Sequence, residues 1–157
     1  MGAFAWSEFL SSAGEVADAG RRLLFGGDVG LAFLATLRSD DRGPRVHPVC
    51  PFEGEGRLFV AIAQGSPKSG DLRADPRYML HAFPAERDAE FSMRGRARLV
   101  TASDERAIAQ RCVSFASGVK EHDDVFALEI ERADTTTWEN WAQANTYAVR
   151  RRWMANG

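Results

Sequence analysis

Cysteine, histidine and lysine are scarce in this chain: two, three and two respectively among 157 residues. Cys50 and Cys112 stand singly, with no CxxC pair and no zinc-ligand spacing. That argues against a disulfide framework and a structural zinc site, and fits a reducing, cytoplasmic compartment. His47, His81 and His122 are spread along the chain, so no metal centre is expected. No apolar run is long enough to span a bilayer, and the first residues lack a basic stretch followed by a signal-type apolar core. Met1-Gly2 resembles a myristoylation start, but Trp6 stands where Ser or Thr is needed. No membrane partner is expected. A formal net charge of −2 supplies no field for nucleic acid either. No GxGxxG follows a strand-like run, and no Walker A loop is present.

What is present is a globular composition, with 45% apolar and 27% charged residues. The length suits one domain, 1–157, with a helical segment over 1–26 and a barrel over 31–153 that carries two inserted helices. Residues 6–26 predict one or two helices, with Ser7 as a cap and Gly14 as a break. Strand signals follow at Leu31–Arg38, Pro44–Phe52, Arg57–Ala63, Tyr78–Phe83, Phe91–Val100 and Val125–Glu131, with a closing hairpin of Thr135–Trp138 and Thr146–Trp153. Turn chemistry fills Ser39–Gly43 and Glu53–Gly56. Thr101 or Ser103 opens a helix running to about Ser117. Pro48 and Pro51 cannot donate to a ladder, which places the second strand at an edge or interrupts it. Many short strands joined by tight turns predict a mainly β, antiparallel barrel or sandwich.

The most informative stretch is Ile62–Pro76. Ser66 suits an N-cap, Pro67 suits the first helical position, and Pro76 ends the segment at Asp75. The free N–H groups of such a helix start make a ready phosphate site. Lys68 lies in the first turn, where the macrodipole disfavours a cation unless an anion is bound. A capped helix with a solvated lysine is the competing reading. In the second strand, Arg45, His47 and Val49 share one face, and Val46, Pro48 and Cys50 the other.

Taken with the order of elements, three segments resemble the pyridoxamine 5′-phosphate oxidase-like superfamily of FMN-binding split barrels. They are Leu31–Arg38, the run Pro44-Arg45-Val46-His47-Pro48-Val49, and Ser66-Pro67-Lys68 through Asp71-Leu72-Arg73 to Asp75-Pro76-Arg77. The resemblance covers roughly residues 15–153. It implies a six-stranded antiparallel split β-barrel that forms a homodimer with FMN between subunits. It also implies an oxidoreductase acting on an unknown small molecule. The alternatives it leaves open are a deazaflavin coenzyme in place of FMN, or a non-enzymatic flavin- or haem-binding protein. Carried over by position, Arg45, Val46, His47, Pro48 and Val49 border the flavin ring, with Ile62 and Ala63 on the next strand beside it. Ser66, Lys68 and Arg45 match phosphate-binding positions. A tryptophan near the C-terminal end, for which Trp138, Trp141 and Trp153 are candidates, is implied to come from the partner subunit. The short tail Arg150–Trp153 lacks an equivalent of the substrate grip of the pyridoxamine phosphate oxidases proper, which argues against vitamin B6 oxidation. No catalytic residue is assigned, because flavin chemistry asks the protein mainly to position and tune the cofactor.

Individual residues keep plainer readings beside these. His47 would sit at the ring or be satisfied by strand neighbours, and His81 reads as a core or interface residue. His122, among Glu121, Asp123 and Asp124, reads as surface, and Cys50 and Cys112 read as small buried hydrophobes. Arg94, Arg96 and Arg98 form either a ligand-facing stripe or a solvated strand face. Arg73 and Arg77 would pair with Asp71 and Asp75 or reach the phosphate.

Overall fold

A computed structural model describes residues 2–40 and 42–156. Asp41, in the expected Ser39–Gly43 turn, lies outside them. Two helices open the chain, α1 (Trp6–Ser12) and α2 (Glu15–Leu24), separated at Gly14, whose φ of +48° breaks the helical run. Ser7 is not the cap. Ala5 holds that position, and its N–H donates to Glu8 Oε2 at 2.7 Å. Eight strands follow: β1 (Ala32–Leu37), β2 (Pro44–Val49), β3 (Phe52–Gly54), β4 (Arg57–Ala63), β5 (Arg77–Ala82), β6 (Glu90–Leu99), β7 (Asp123–Glu139) and β8 (Tyr147–Met154). Helix α3 (Pro67–Ala74) lies between β4 and β5, and α4 (Ser103–Cys112) between β6 and β7. The last starts after Ala102, which offers no side-chain cap, and ends at Cys112, short of Ser117.

All the strand pairs are antiparallel, and the order is β2-β1-β5-β6-β7-β4-β3, with β8 on the distal part of β7. This is an open, curled half-barrel. It has eight strands, against the six expected. Phe52–Gly54 pairs with β4 as a strand of its own, where the end of the Pro44–Phe52 strand and the start of the Glu53–Gly56 turn were expected. The stretches Val125–Glu131 and Thr135–Trp138 are one continuous β7, because Arg132 and Asp134 pair with each other along the strand and Arg152 joins Asp134 from β8. The ladder shifts register between Arg94 and Gly95. A Cβ at Gly95 would stand 1.9 Å from the Glu129 carbonyl oxygen, so only glycine fits that bulge.

The apolar alternation folds the sheet around one main core. Trp6, Phe9 and Leu24 of the helices pack on Leu34, Leu58, Ile62, Leu80, Phe91 and Phe126 of the strands. A second cluster of Phe52, Phe59, Val125 and Ile108 seats α4 on the opposite face of β3, β4 and β7. β2 is an edge strand, as its prolines require. Among the described residues, no helix is long and apolar enough to cross a membrane.

Candidate functional site

Helix α3 is where the expected site residues meet. Pro67 occupies its first position, and Asp75 closes it with an N–H donated to Asp71 O at 2.8 Å. Ser66 is the N-cap residue by backbone (φ −70°, ψ 147°), and its carbonyl accepts the N–H groups of Ser69 and Gly70, each at 3.1 Å. Its side chain does not cap. Ser66 Oγ is buried and has no hydrogen-bond partner among the described residues. A hydroxyl expected to serve the helix is therefore left for something else.

Beside it runs the edge strand β2, whose alternation is as the sequence predicts. Val46 is 58% exposed and Pro48 faces solvent, whereas Val49 is buried and Arg45 and His47 are half-buried. Arg45 stands opposite Thr36 and His47 opposite Leu34 in the β1–β2 ladder. Asp71 of α3 ties that first pair down: its Oδ2 accepts from Thr36 Oγ1 at 2.8 Å and from Arg45 Nε at 2.8 Å. His47 Nε2 is buried without a partner among the described residues. Burial, followed by the charges of Lys68, Arg45 and, more weakly, Arg38, holds His47 below the ordinary imidazole range, against the opposing pull of Asp71. At neutral pH the ring is uncharged, with one donor and one acceptor nitrogen.

At this corner Lys68 and Arg45 both lie close enough to act on His47, and of the two Arg45 is paired, with Asp71. Among the described residues Lys68 enters no ion pair, and Arg45 is bound only through Nε. The corner carries the donor set of a phosphate site: a hydroxyl, two side-chain cations and the start of a helix.

The remaining expected residues fall around it. Ile62 is fully buried in the main core, so only its backbone borders the corner, and Ala63 is exposed at the end of β4. Trp138 is not part of this corner in its own chain. It lies fourteen residues beyond Asp124 on β7, about 45 Å along an extended strand, and its indole N–H donates to Asp88 O at 3.1 Å. Trp141 anchors on the same residue through Asp88 Oδ2 at 3.2 Å. Arg77 pairs with Asp75, as one of the two sequence readings has it, but Arg73 reaches across to Asp124 on β7 instead of a neighbour on its own helix. His81 Nδ1 lies 2.6 Å from Ala82 O, His122 is exposed, and Cys50 and Cys112 are only partly buried. Arg98 is engaged by Glu105 and Glu129, while Arg94 and Arg96 are exposed. Sequence reasoning gave Thr36 and Arg38 no role, offered Asp71 as a partner of Arg73 and Arg77, and read Asp124 only as a neighbour of His122. The partners of Thr36, Asp71 and Asp124 are distant in the chain, and only Thr36 carried a signal, as an isolated polar residue inside an apolar run. Among the described residues no three His, Cys, Asp or Glu side chains cluster as a metal site would need.

No protein-family model matches the chain, and no curated protein matches it. Solved structures do. PhzG from Burkholderia lata, in complex with tetrahydrophenazine-1-carboxylic acid, superposes with a TM-score of 0.64 at 15% identity, covering 96% of this chain and 86% of that one. A heme binding protein from Mycobacterium smegmatis gives 0.61 at 15% identity over 83% of this chain, which spans 57% of that protein. A putative pyridoxamine 5′-phosphate oxidase from Listeria innocua gives 0.57 at 18% identity, over 76% and 96% of the two chains. The chain has the split-barrel fold of the pyridoxamine 5′-phosphate oxidase-like proteins.

Proposed function

We propose that the chain is an FMN-binding flavoprotein, an oxidoreductase that acts on a small organic molecule as a homodimer. The observation that carries the reading is the set of buried polar atoms without a partner among the described residues, Ser66 Oγ, His47 Nε2 and Arg38 Nε, beside Lys68, which enters no ion pair among those residues. A phosphate monoester carries about −1.5 to −2 at neutral pH and would take the Lys68 charge and the free edge of Arg45. The residues fit the group: Ser66, Lys68 and the start of α3 would hold the phosphate, with Arg45 turning its free guanidinium edge to it. The backbone of Arg45–Val49 and of Ile62–Ala63 would frame the ring, and uncharged His47 would give or take one hydrogen bond. When bound, the flavin supplies the hydride-accepting chemistry. The molecules named with two of the similar structures, haem and tetrahydrophenazine-1-carboxylic acid, are polycyclic, as a flavin is.

A second copy of the chain has a surface to meet. Val46, Ala35 and Met79 stand opposite one another across β2, β1 and β5, with Phe33 and Leu37 on the same face. Val46, Met79, Phe33 and Leu37 are exposed large apolar side chains, more than a solvated sheet face needs. Trp138 would reach a cofactor only across such a dimer.

The test is titration of the purified protein with FMN, followed by flavin fluorescence, for wild type and Lys68→Ala. Losing one charge-assisted hydrogen bond of about 1.5–3 kcal/mol weakens binding roughly tenfold to a hundredfold. Equal affinities would remove Lys68 from the phosphate site. A Soret band, or uptake of a deazaflavin but not FMN, would overturn the choice of cofactor.

A further inference from the structure

Helix α3 has little apolar burial to fix it. Of its eight residues only Leu72 is a buried hydrophobic; the other two buried side chains are Ser69 and Asp71. A two-turn helix is not stable on its own and takes its position from what it is tied to. Here the ties are two buried carboxylates. On one side Asp71 accepts from Thr36 of β1 and Arg45 of β2. On the other, Asp124 at the start of β7 accepts the Ser69 hydroxyl and takes the Arg73 guanidinium as a fork, Nε at 2.9 Å and Nη2 at 2.6 Å. Ser69 and Arg73, four residues apart, share one face of the helix, while Asp71 is turned by about 200° from Ser69 to the opposite face. The two carboxylates are 6% and 8% exposed, for Asp124 and Asp71. β2 and β1 end one side of the open sheet, whereas β7 lies near its other end, paired with β4.

We propose that α3 is a clasp across the open side of the half-barrel, and that Asp124 and Asp71 are positioning residues that aim Ser66, Lys68 and Arg45 at a phosphate. Neither carboxylate touches the ligand. Asp71 sets the Arg45 guanidinium through Nε, and Asp124 fixes the rotation of the helix that carries Ser66 and Lys68. Asp124 is ionised throughout the neutral range, since Arg73 and Ser69 hold its carboxyl below the usual carboxylate value. The inference rests on the FMN reading above, and its test separates the two.

FMN and riboflavin differ only in the phosphate, so the ratio of their affinities reads the phosphate site and ignores the ring. Both are titrated into wild type, Asp124→Asn and Arg73→Gln, with folding checked by a cooperative melt. Wild type is expected to favour FMN, and each variant to lose that preference by about tenfold or more while riboflavin binding stays within about twofold. Arg73 is half exposed, so its variant carries the test if Asp124→Asn does not fold. A wild type that binds the two ligands equally overturns the phosphate reading itself. A wild-type preference that persists undiminished in Arg73→Gln, or in a folded Asp124→Asn, overturns the clasp and leaves the phosphate site standing.

Discussion

Replacing Ser66 with alanine gives opposite signs for stability and for binding if the reasoning about its hydroxyl is right. An ordinary N-cap serine changed to alanine costs about 1 kcal/mol. Ser66 makes no side-chain cap bond, so that loss does not arise here. Its Oγ is instead buried without a partner among the described residues, and such a group carries a desolvation penalty of about 1–3 kcal/mol. Removing it recovers part of that penalty. In a chain of this size each kcal/mol moves Tm by about 2–4 °C. Flavin-free Ser66→Ala is therefore expected to melt above flavin-free wild type, by about 2–4 °C for each kcal/mol recovered. The same variant loses a hydrogen bond to the phosphate and should bind FMN about tenfold to a hundredfold more weakly. Thermal unfolding by circular dichroism and a fluorescence titration settle both signs on one preparation. A Tm lowered by about 2–4 °C, with FMN affinity unchanged, would mean that Ser66 is a helix cap and nothing more.

Other outcomes follow from single contacts. Gly95→Ala brings a methyl group to 1.9 Å from Glu129 O, 2.9 Å from Glu129 C and 3.0 Å from Glu131 N, all backbone. Overpacking of about 1–3 kcal/mol should lower Tm by several degrees, and an unchanged melt would refute the fixed bulge. Hydrogen bonds from the Arg77 side chain and backbone lower the Asp75 carboxyl from 3.8 to about 2. A lowered folded-state value stabilises above the unfolded value and is lost as pH falls through the folded one. The contribution is therefore present above about pH 4 and gone by about pH 2; Asp75→Asn should flatten the dependence of Tm on pH in that window, and an unaltered slope would count against the pair. Met79→Lys places a charge in the middle of the apolar strip, beside Arg94. Sedimentation velocity should show it shifting from dimer to monomer, and a variant that stays as dimeric as wild type would move the interface elsewhere.

The chain announces local chemistry well and distant chemistry poorly. Ser66, Pro67 and Pro76 bound α3 almost to the residue, because capping preference, a fixed φ and a missing N–H act within a few positions. The facing of Arg45, His47 and Val49 was equally legible, since alternation along a strand is a period of two. What was hidden depends on partners far along the chain. Glu131-Arg132-Ala133-Asp134 looks like a polar break, yet β7 runs straight through it, with Asp134 holding both Arg132 and Arg152. Arg73 has two acids within a turn of itself, and it pairs with Asp124 instead. The strand count suffers from the same cause: Phe52–Gly54 becomes a strand only because β4 lies alongside to receive it. For the corner, sequence found Arg45, Lys68 and the Ser66 hydroxyl but not the contact by which Asp71 orients Arg45.

Among the described residues the sheet has three free margins, β2, β3 and β8, the last paired with β7 alone. The first contains Pro44 and Pro48, which offer no N–H outward, and the second is three residues long. Neither of those two margins offers a long outward run of N–H and C=O groups, which leaves the eight-residue, proline-free β8 as the border where a further strand could add. Edge-to-edge association of the folded protein is accordingly expected at β8, a border separate from the apolar strip on β1, β2 and β5.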